Sequence, residues 1–149
     1  MGKMKTVKFR VWNGREMVYD IMAGKFGIFY VNPEKGDGLN TEDTASLTVN
    51  TTKYHEGTPL MQFTGLLDKN GRKIFVGDFL SKRWKTEIYQ NDEGTFMVKF
   101  HVNPKVNKPM SLKKYLKSRK KAGTYQEDNI IIGNIYENPE LLNQKGKKK

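Results

Sequence analysis

Few residues of this chain have the types and spacing that chemistry needs. There is no cysteine, so a thiolate nucleophile, a thiolate metal site and a disulfide scaffold are all excluded. The two histidines, His55 and His101, lie far apart, and neither has a His or carboxylate cluster beside it in sequence. A catalytic or metal role needs such partners, so no metal is expected. The polar loop 32–43, NPEKGDGLNTED, is rich in acid but lacks the alternate ligand spacing and terminal Glu of a calcium loop. The carboxylate pairs Glu42-Asp43 and Asp92-Glu93 fall in turn-like contexts that suit solvation better than acid–base work. Asp78, beside Gly77, is the best remaining acid–base candidate. A lone carboxylate has no proton relay to serve, and its expected role is in a turn. The sequence has no phosphate-binding Gly-rich loop, no dinucleotide fingerprint, no Gly-x-Ser-x-Gly and no His-Glu-x-x-His. The expectation is a protein that is not an enzyme and carries no cofactor.

What the sequence does concentrate is positive charge. The net charge is +11, and it is unevenly placed. Residues 1–100 carry 15 basic and 12 acidic side chains, whereas residues 101–149 carry 12 and 4. Between positions 105 and 121 there are eight basic residues and no acidic one. Charge of this sign attracts polyanions and steers encounters with them. The candidate contact residues are Lys113, Lys114, Lys117, Arg119, Lys120 and Lys121. Their expected partner is nucleic acid or an acidic host protein. The plainer reading is a solvated helix over a sheet, with the charge serving solubility.

These residues fall on the one segment with a clear helical pattern, 111–122. Ser111 suits the N-cap. Leu112, Tyr115, Leu116 and Arg119 follow the i, i+3, i+4, i+7 spacing of an inner stripe. Lysines crowd the last turn, where they complement the helix dipole, and Gly123 can close it.

The rest of the chain reads as strands. In 6–12, Val7, Phe9 and Val11 alternate with Lys8, Arg10 and Trp12, which predicts a half-buried strand with a polar outer face. Asn13-Gly14-Arg15 then turns it into a second strand over 16–22, and 26–31 and 45–51 are further strand candidates. The stretch 59–80, PLMQFTGLLDKNGRKIFVGDFL, is a hairpin turned at Asp68-Lys69-Asn70-Gly71, with its second arm bent at Gly77. A loosely alternating run from Ser81 to Tyr89 and the strand 95–102 form another hairpin about Asn91-Asp92-Glu93-Gly94. Residues 129–136 give a last strand with a bulge at Gly133. Asn138-Pro139-Glu140 then opens a short helix. The expected fold is therefore mainly β, of the α+β class, with one basic helix near 111–122 and a short C-terminal helix.

At 149 residues one domain is expected, over 1–142, followed by a basic, disordered tail at 143–149. Hydrophobic residues make up 36%, so the core should be small, helped by eight Phe, seven Tyr and two Trp. No apolar run approaches the roughly 20 residues that span a bilayer. The basic start, Met1 to Lys5, has no hydrophobic region after it, so it does not read as a secretion signal. No membrane partner is expected.

Three blocks carry a resemblance: KFRVWNGREMVYD at 8–20, the whole of 59–80, and IIGNIYENPELL at 131–142. In type and order they resemble the YopX-like proteins of bacteriophages and prophages of Gram-positive bacteria. Lys8, Phe9, Arg10 and Trp12 fill the first motif; Met61 to Leu66, Asp68 to Gly71, Gly77 and Asp78 fill the second; Gly133 to Leu141 fill the third. The resemblance implies small barrel-like antiparallel sheets and a setting in the host bacterial cytoplasm. It implies no activity and no catalytic residues. The Lys-rich helix sits between the second and third blocks, where the family pattern has a variable strand region. The leading expectation is a phage accessory protein that binds a partner through a basic surface. The alternative is a structural or assembly β-scaffold that forms homo-oligomers.

Overall fold

The structure is a computed structural model that describes residues 7–12, 14–24, 27–30 and 60–142. The loop 32–43, the strand candidate 45–51, His55 and the tail 143–149 lie outside those residues. The fold is mainly β, with antiparallel sheets, one of them a half-barrel, and few helices. The chain divides into two compact units, 1–62 and 63–149.

In the first unit β1 (Phe9–Trp12) forms a hairpin with β2 (Met17–Gly24), and β3 (Gly27–Tyr30) pairs with the far side of β2. The other edge of β1 pairs with the first residues of β4 (Leu60–Leu67). β1 is thus a central strand. Its outer face is not the polar one that alternation predicts: Arg10 is only 3% exposed, and Val11 beside it is fully buried. A bulge between Phe9 and Arg10 in the β1–β2 pairing breaks the strict period. Val7, expected on the inner face, is 55% exposed.

In the second unit the rest of β4 pairs with β5 (Lys73–Phe75), with a bulge between the pairs Phe63↔Phe75 and Leu67↔Lys73. The turn between them forms as the residues predict. Asp68 Oδ1 accepts the N–H groups of Asn70 and Arg72, both at 2.9 Å, and Gly71 takes φ +79°. Gly77 does not merely bend the second arm of the hairpin; it redirects the chain into another sheet. At φ +91° it lets β6 (Asp78–Leu80) leave β4 and β5. β6 joins a second five-stranded sheet, where it lies between the strands Ile131–Asn134 and Thr86–Gln90.

That sheet contains β7 (Thr86–Gln90), β8 (Phe96–Phe100), β9 (Met110–Ser111) and β10 (Ile131–Asn134). β7 begins five residues later than the alternation from Ser81 suggests. Ser81 and Lys85 both adopt positive φ, 63° and 46°, and the Lys85 N–H donates to the Ser81 carbonyl at 2.8 Å, closing a turn. β7 and β8 pair about the Asn91–Gly94 turn as expected. The helix α1 (Leu112–Ala122) packs on this sheet, followed by the four-residue α2 (Tyr125–Asp128), which the sequence pattern does not signal. A 3₁₀ turn at Pro139–Leu141 is the expected short C-terminal helix. The core of this unit gathers Ile74, Leu80, Ile88, Val98, Phe100, Leu112, Tyr115 and Leu116.

Candidate functional site

Local chemistry fixes the ends of α1. The Ser111 hydroxyl oxygen accepts the Lys114 N–H at 3.2 Å, which satisfies one of the free donors of the first turn. At the other end Gly123 is left-handed, φ 75°. Its N–H donates to the Lys120 carbonyl at 3.2 Å, and the Thr124 N–H donates to the Arg119 carbonyl at 3.0 Å. These two bonds form a Schellman closure. Both caps stand where the sequence places them.

One stripe holds the helix down. Leu112, Tyr115 and Leu116 are buried against the sheet. Burial of each large apolar side chain contributes about 1.5–3 kcal/mol. The Tyr115 ring meets Phe100 edge-on at 5.9 Å, and its hydroxyl donates to the Asp128 carbonyl at 3.2 Å. Burial pushes the Tyr115 phenol up to about 12. Asp128 is itself fully buried, and its Oδ1 accepts the Ser81 hydroxyl at 2.7 Å.

Of the six candidate contact residues, Arg119 belongs to this inner stripe. Its guanidinium lies over Tyr115 at 5.4 Å and over Trp84 at 5.9 Å, and its Nη1 is 3.6 Å from Asp128 Oδ2. With 20% of its side chain exposed, Arg119 is engaged within the unit. The same heptad-like spacing that marked the inner stripe in the sequence already grouped Arg119 with Leu112, Tyr115 and Leu116.

The other five, Lys113, Lys114, Lys117, Lys120 and Lys121, are exposed. At 3.6 residues per turn they fall within an arc of roughly 120°. Among the described residues none of the five makes an ion pair with a carboxylate. Lys120 Nζ sits 4.9 Å above the Tyr125 ring, a cation–π contact that steadies one of them. The first turn of α1 holds no acidic residue and two lysines, Lys113 and Lys114. Positive charge there opposes the helix dipole. The arrangement is a helix capped at both ends whose five exposed lysines form no ion pair among the described residues.

The acid–base candidates have structural duties. Asp78 Oδ2 accepts the Phe75 N–H at 2.8 Å and closes the turn at Gly77, with Asp78 1% exposed. His101 does have a partner that sequence spacing hides. Its Nε2 lies 2.7 Å from Glu87 Oε2, because strand pairing sets β7 beside β8. Among the described residues no three metal-ligating side chains cluster. No described helix is long and apolar enough to cross a membrane.

The second and third motif blocks meet within this unit. The Ile135 N–H donates to the Gly77 carbonyl at 2.9 Å, and Asn134 pairs with Asp78 in the β10–β6 ladder. Asn134 Oδ1 accepts the N–H groups of Tyr136 and Glu137, while Asn138 Oδ1 accepts the Asn134 N–H. The motif residues make turns and hold them together; the lysine row lies outside them.

Comparison with known proteins agrees with that architecture. Protein EF1440 from Enterococcus faecalis, a solved structure, superposes with a TM-score of 0.53 at 26% identity, covering 93% of this chain and 99% of that one. No curated protein matches the chain. The family described as YopX protein matches residues 8–143, nearly the whole length, and the chain belongs to that family.

Proposed function

We propose that this chain is a non-enzymatic accessory protein of a bacteriophage or prophage, working in the host bacterial cytoplasm, and that it binds nucleic acid through the lysine face of α1. The observation that carries this reading is the set of five exposed lysines, none in an ion pair among the described residues, on one arc of a helix fixed at both caps. Mutual repulsion and two lysines set against the helix dipole give the fold nothing. A polyanion laid along the face would neutralise them and release counterions. Aspartate and glutamate are absent from 105–121, so no acid within that segment competes.

Fluorescence anisotropy with a labelled oligonucleotide tests the reading. Affinity should fall log-linearly with salt, and replacing Lys113, Lys114, Lys117 and Lys120 with Gln should abolish binding. Absence of binding at low salt would overturn it. Retention of polyglutamate in place of oligonucleotide would assign the face to an acidic protein instead. Self-association that survives the quadruple substitution would support the oligomeric scaffold.

A further inference from the structure

A groove of about 330 Å³ opens at the N-terminal end of α1, at the same end as Lys113. Its wall is apolar where Leu66, Phe96 and Leu112 line it, and polar where Thr95, Ser111 and Lys113 do. That volume lies at the small end of the roughly 300–1,000 Å³ range of ligand pockets. It suits a flat group of the size of a nucleobase with its sugar, and it is far too small for a duplex. Leu112 is buried, Phe96 and Leu66 are half-buried, and Thr95 and Lys113 are exposed. The groove therefore offers an aromatic ring and apolar carbon below a polar, cationic rim.

The polar groups differ in what they have free to offer. The Thr64 hydroxyl, also in the lining, is committed: it donates to the Ile74 carbonyl at 2.8 Å and accepts the Leu66 N–H at 3.3 Å. The Ser111 oxygen accepts the Lys114 N–H at 3.2 Å, and among the described residues its own O–H has no acceptor. Lys113 belongs at once to the groove and to the lysine row. From it, Lys117 and Lys121 follow at four-residue steps, about 6 Å each along the helix axis. Successive phosphates of an extended strand have a comparable spacing.

We infer that the α1 face takes single-stranded nucleic acid in preference to duplex, with one unpaired base held in the groove against Phe96 and the adjoining phosphates on Lys113, Lys117 and Lys121. This inference rests on the nucleic-acid reading above and sharpens it. Bases of a duplex are stacked and paired, so they cannot enter such a groove without being flipped out at an energetic cost. An unpaired base enters freely, and stacking on an aromatic ring is tolerant of sequence. The lysine row alone would not discriminate, since both forms carry phosphates.

The test compares a labelled single strand with its duplex by anisotropy at one low salt concentration, using the full chain. The single strand should bind at least tenfold more tightly. Phe96→Leu, which removes the ring and keeps an apolar side chain, should weaken single-strand binding by roughly tenfold, the worth of one stacked base. Its salt slope should not change. Thr95→Leu, at an exposed position, should narrow the groove without adding a ring and act the same way without touching the core. It keeps the test decisive if circular dichroism finds Phe96→Leu misfolded. Equal affinity for the two forms, or unchanged single-strand affinity in a folded Thr95→Leu protein, overturns the groove while the lysine reading stands. Binding to neither form overturns the reading beneath it.

Discussion

The carboxylate of Asp68 accepts the backbone N–H of Ile131 at 3.2 Å, across 63 positions of chain. The same side chain caps its own turn through the N–H groups of Asn70 and Arg72, and it pairs with the Arg72 guanidinium at 2.8 Å. Arg72 in turn donates from Nη2 to the Ile131 carbonyl at 2.7 Å. Asn129 Nδ2 donates to the Leu67 carbonyl, and the Lys69 N–H donates to the Asn129 carbonyl. A turn that looks local in sequence is therefore the clamp that holds the start of β10.

Burial alone would raise the Asp68 carboxyl, but the N–H groups of Arg72, Ile131 and Asn70 and the Arg72 side chain together hold it below its ordinary value of 3.8. A carboxyl depressed in the fold contributes stability that is present above 3.8 and lost as pH falls through the lower folded value. Asp68→Asn should cost about 1–3 kcal/mol at neutral pH, because it removes the charge and an acceptor. The loss should shrink on acidification. Urea unfolding of both proteins at neutral and acidic pH measures this; a difference that is independent of pH would contradict it.

Gly133 has φ +157°, and a Cβ there would strike the Asn138 side chain and touch Leu141 Cδ1 at 3.0 Å. Asn138 cannot easily yield, since its Oδ1 accepts the Asn134 N–H. Gly133→Ala should destabilise by about 1–3 kcal/mol. Exchange protection should fall first in β10 and the 3₁₀ turn. Thermal unfolding with amide exchange would show it, and a wild-type profile would rule the clash out.

These two sites mark how far the sequence could be read. The Asp68 turn, the Ser111 and Gly123 caps and the Gly133 bulge were legible because each is set by residues within a few positions of one another. What escaped depends on partners distant in sequence. Gly77 was visible as a break, but only the ladder with β7 and β10 makes it a change of sheet. Arg10 reads as a surface residue from alternation alone, whereas the bulge that breaks the period before it arises only in the pairing with β2. The Glu87 partner of His101 follows from strand register, and α2 is too short to show a period. In the candidate site the lysines were legible from charge, whereas the groove joins Thr64, Phe96 and Lys113 from three separate segments.

Tyr115 should make the fold sensitive to alkali. Its phenol, raised to about 12 by burial, must stay protonated in the folded chain while an unfolded chain ionises near 10. The stability it contributes is complete below pH 10 and is lost as pH rises towards 12. Tyr115→Phe should cost about 0.5–1.5 kcal/mol at neutral pH through the bond to Asp128. It should also flatten the decline above pH 10. Denaturant midpoints taken from neutral to alkaline pH, alongside phenolate absorbance, measure both. An equally steep decline in the variant would show that another group governs it.

Arg119 and the lysines should separate cleanly by what each loss changes. Arg119 lies on the inner stripe with its guanidinium beside the buried Asp128 carboxylate, so Arg119→Gln should destabilise by about 1–3 kcal/mol. The dependence of oligonucleotide binding on salt should be unaffected. Lys117→Gln with Lys121→Gln should leave stability within about 0.5 kcal/mol, since both side chains are exposed. The slope of log affinity against log salt for a single strand should drop by about 1.4, two phosphate contacts at roughly 0.7 each. Denaturation and salt titration of the two proteins supply the four numbers. A reduced slope in folded Arg119→Gln would move Arg119 to the contact surface, and an unchanged slope in the lysine pair would remove that surface from the C-terminal half of α1.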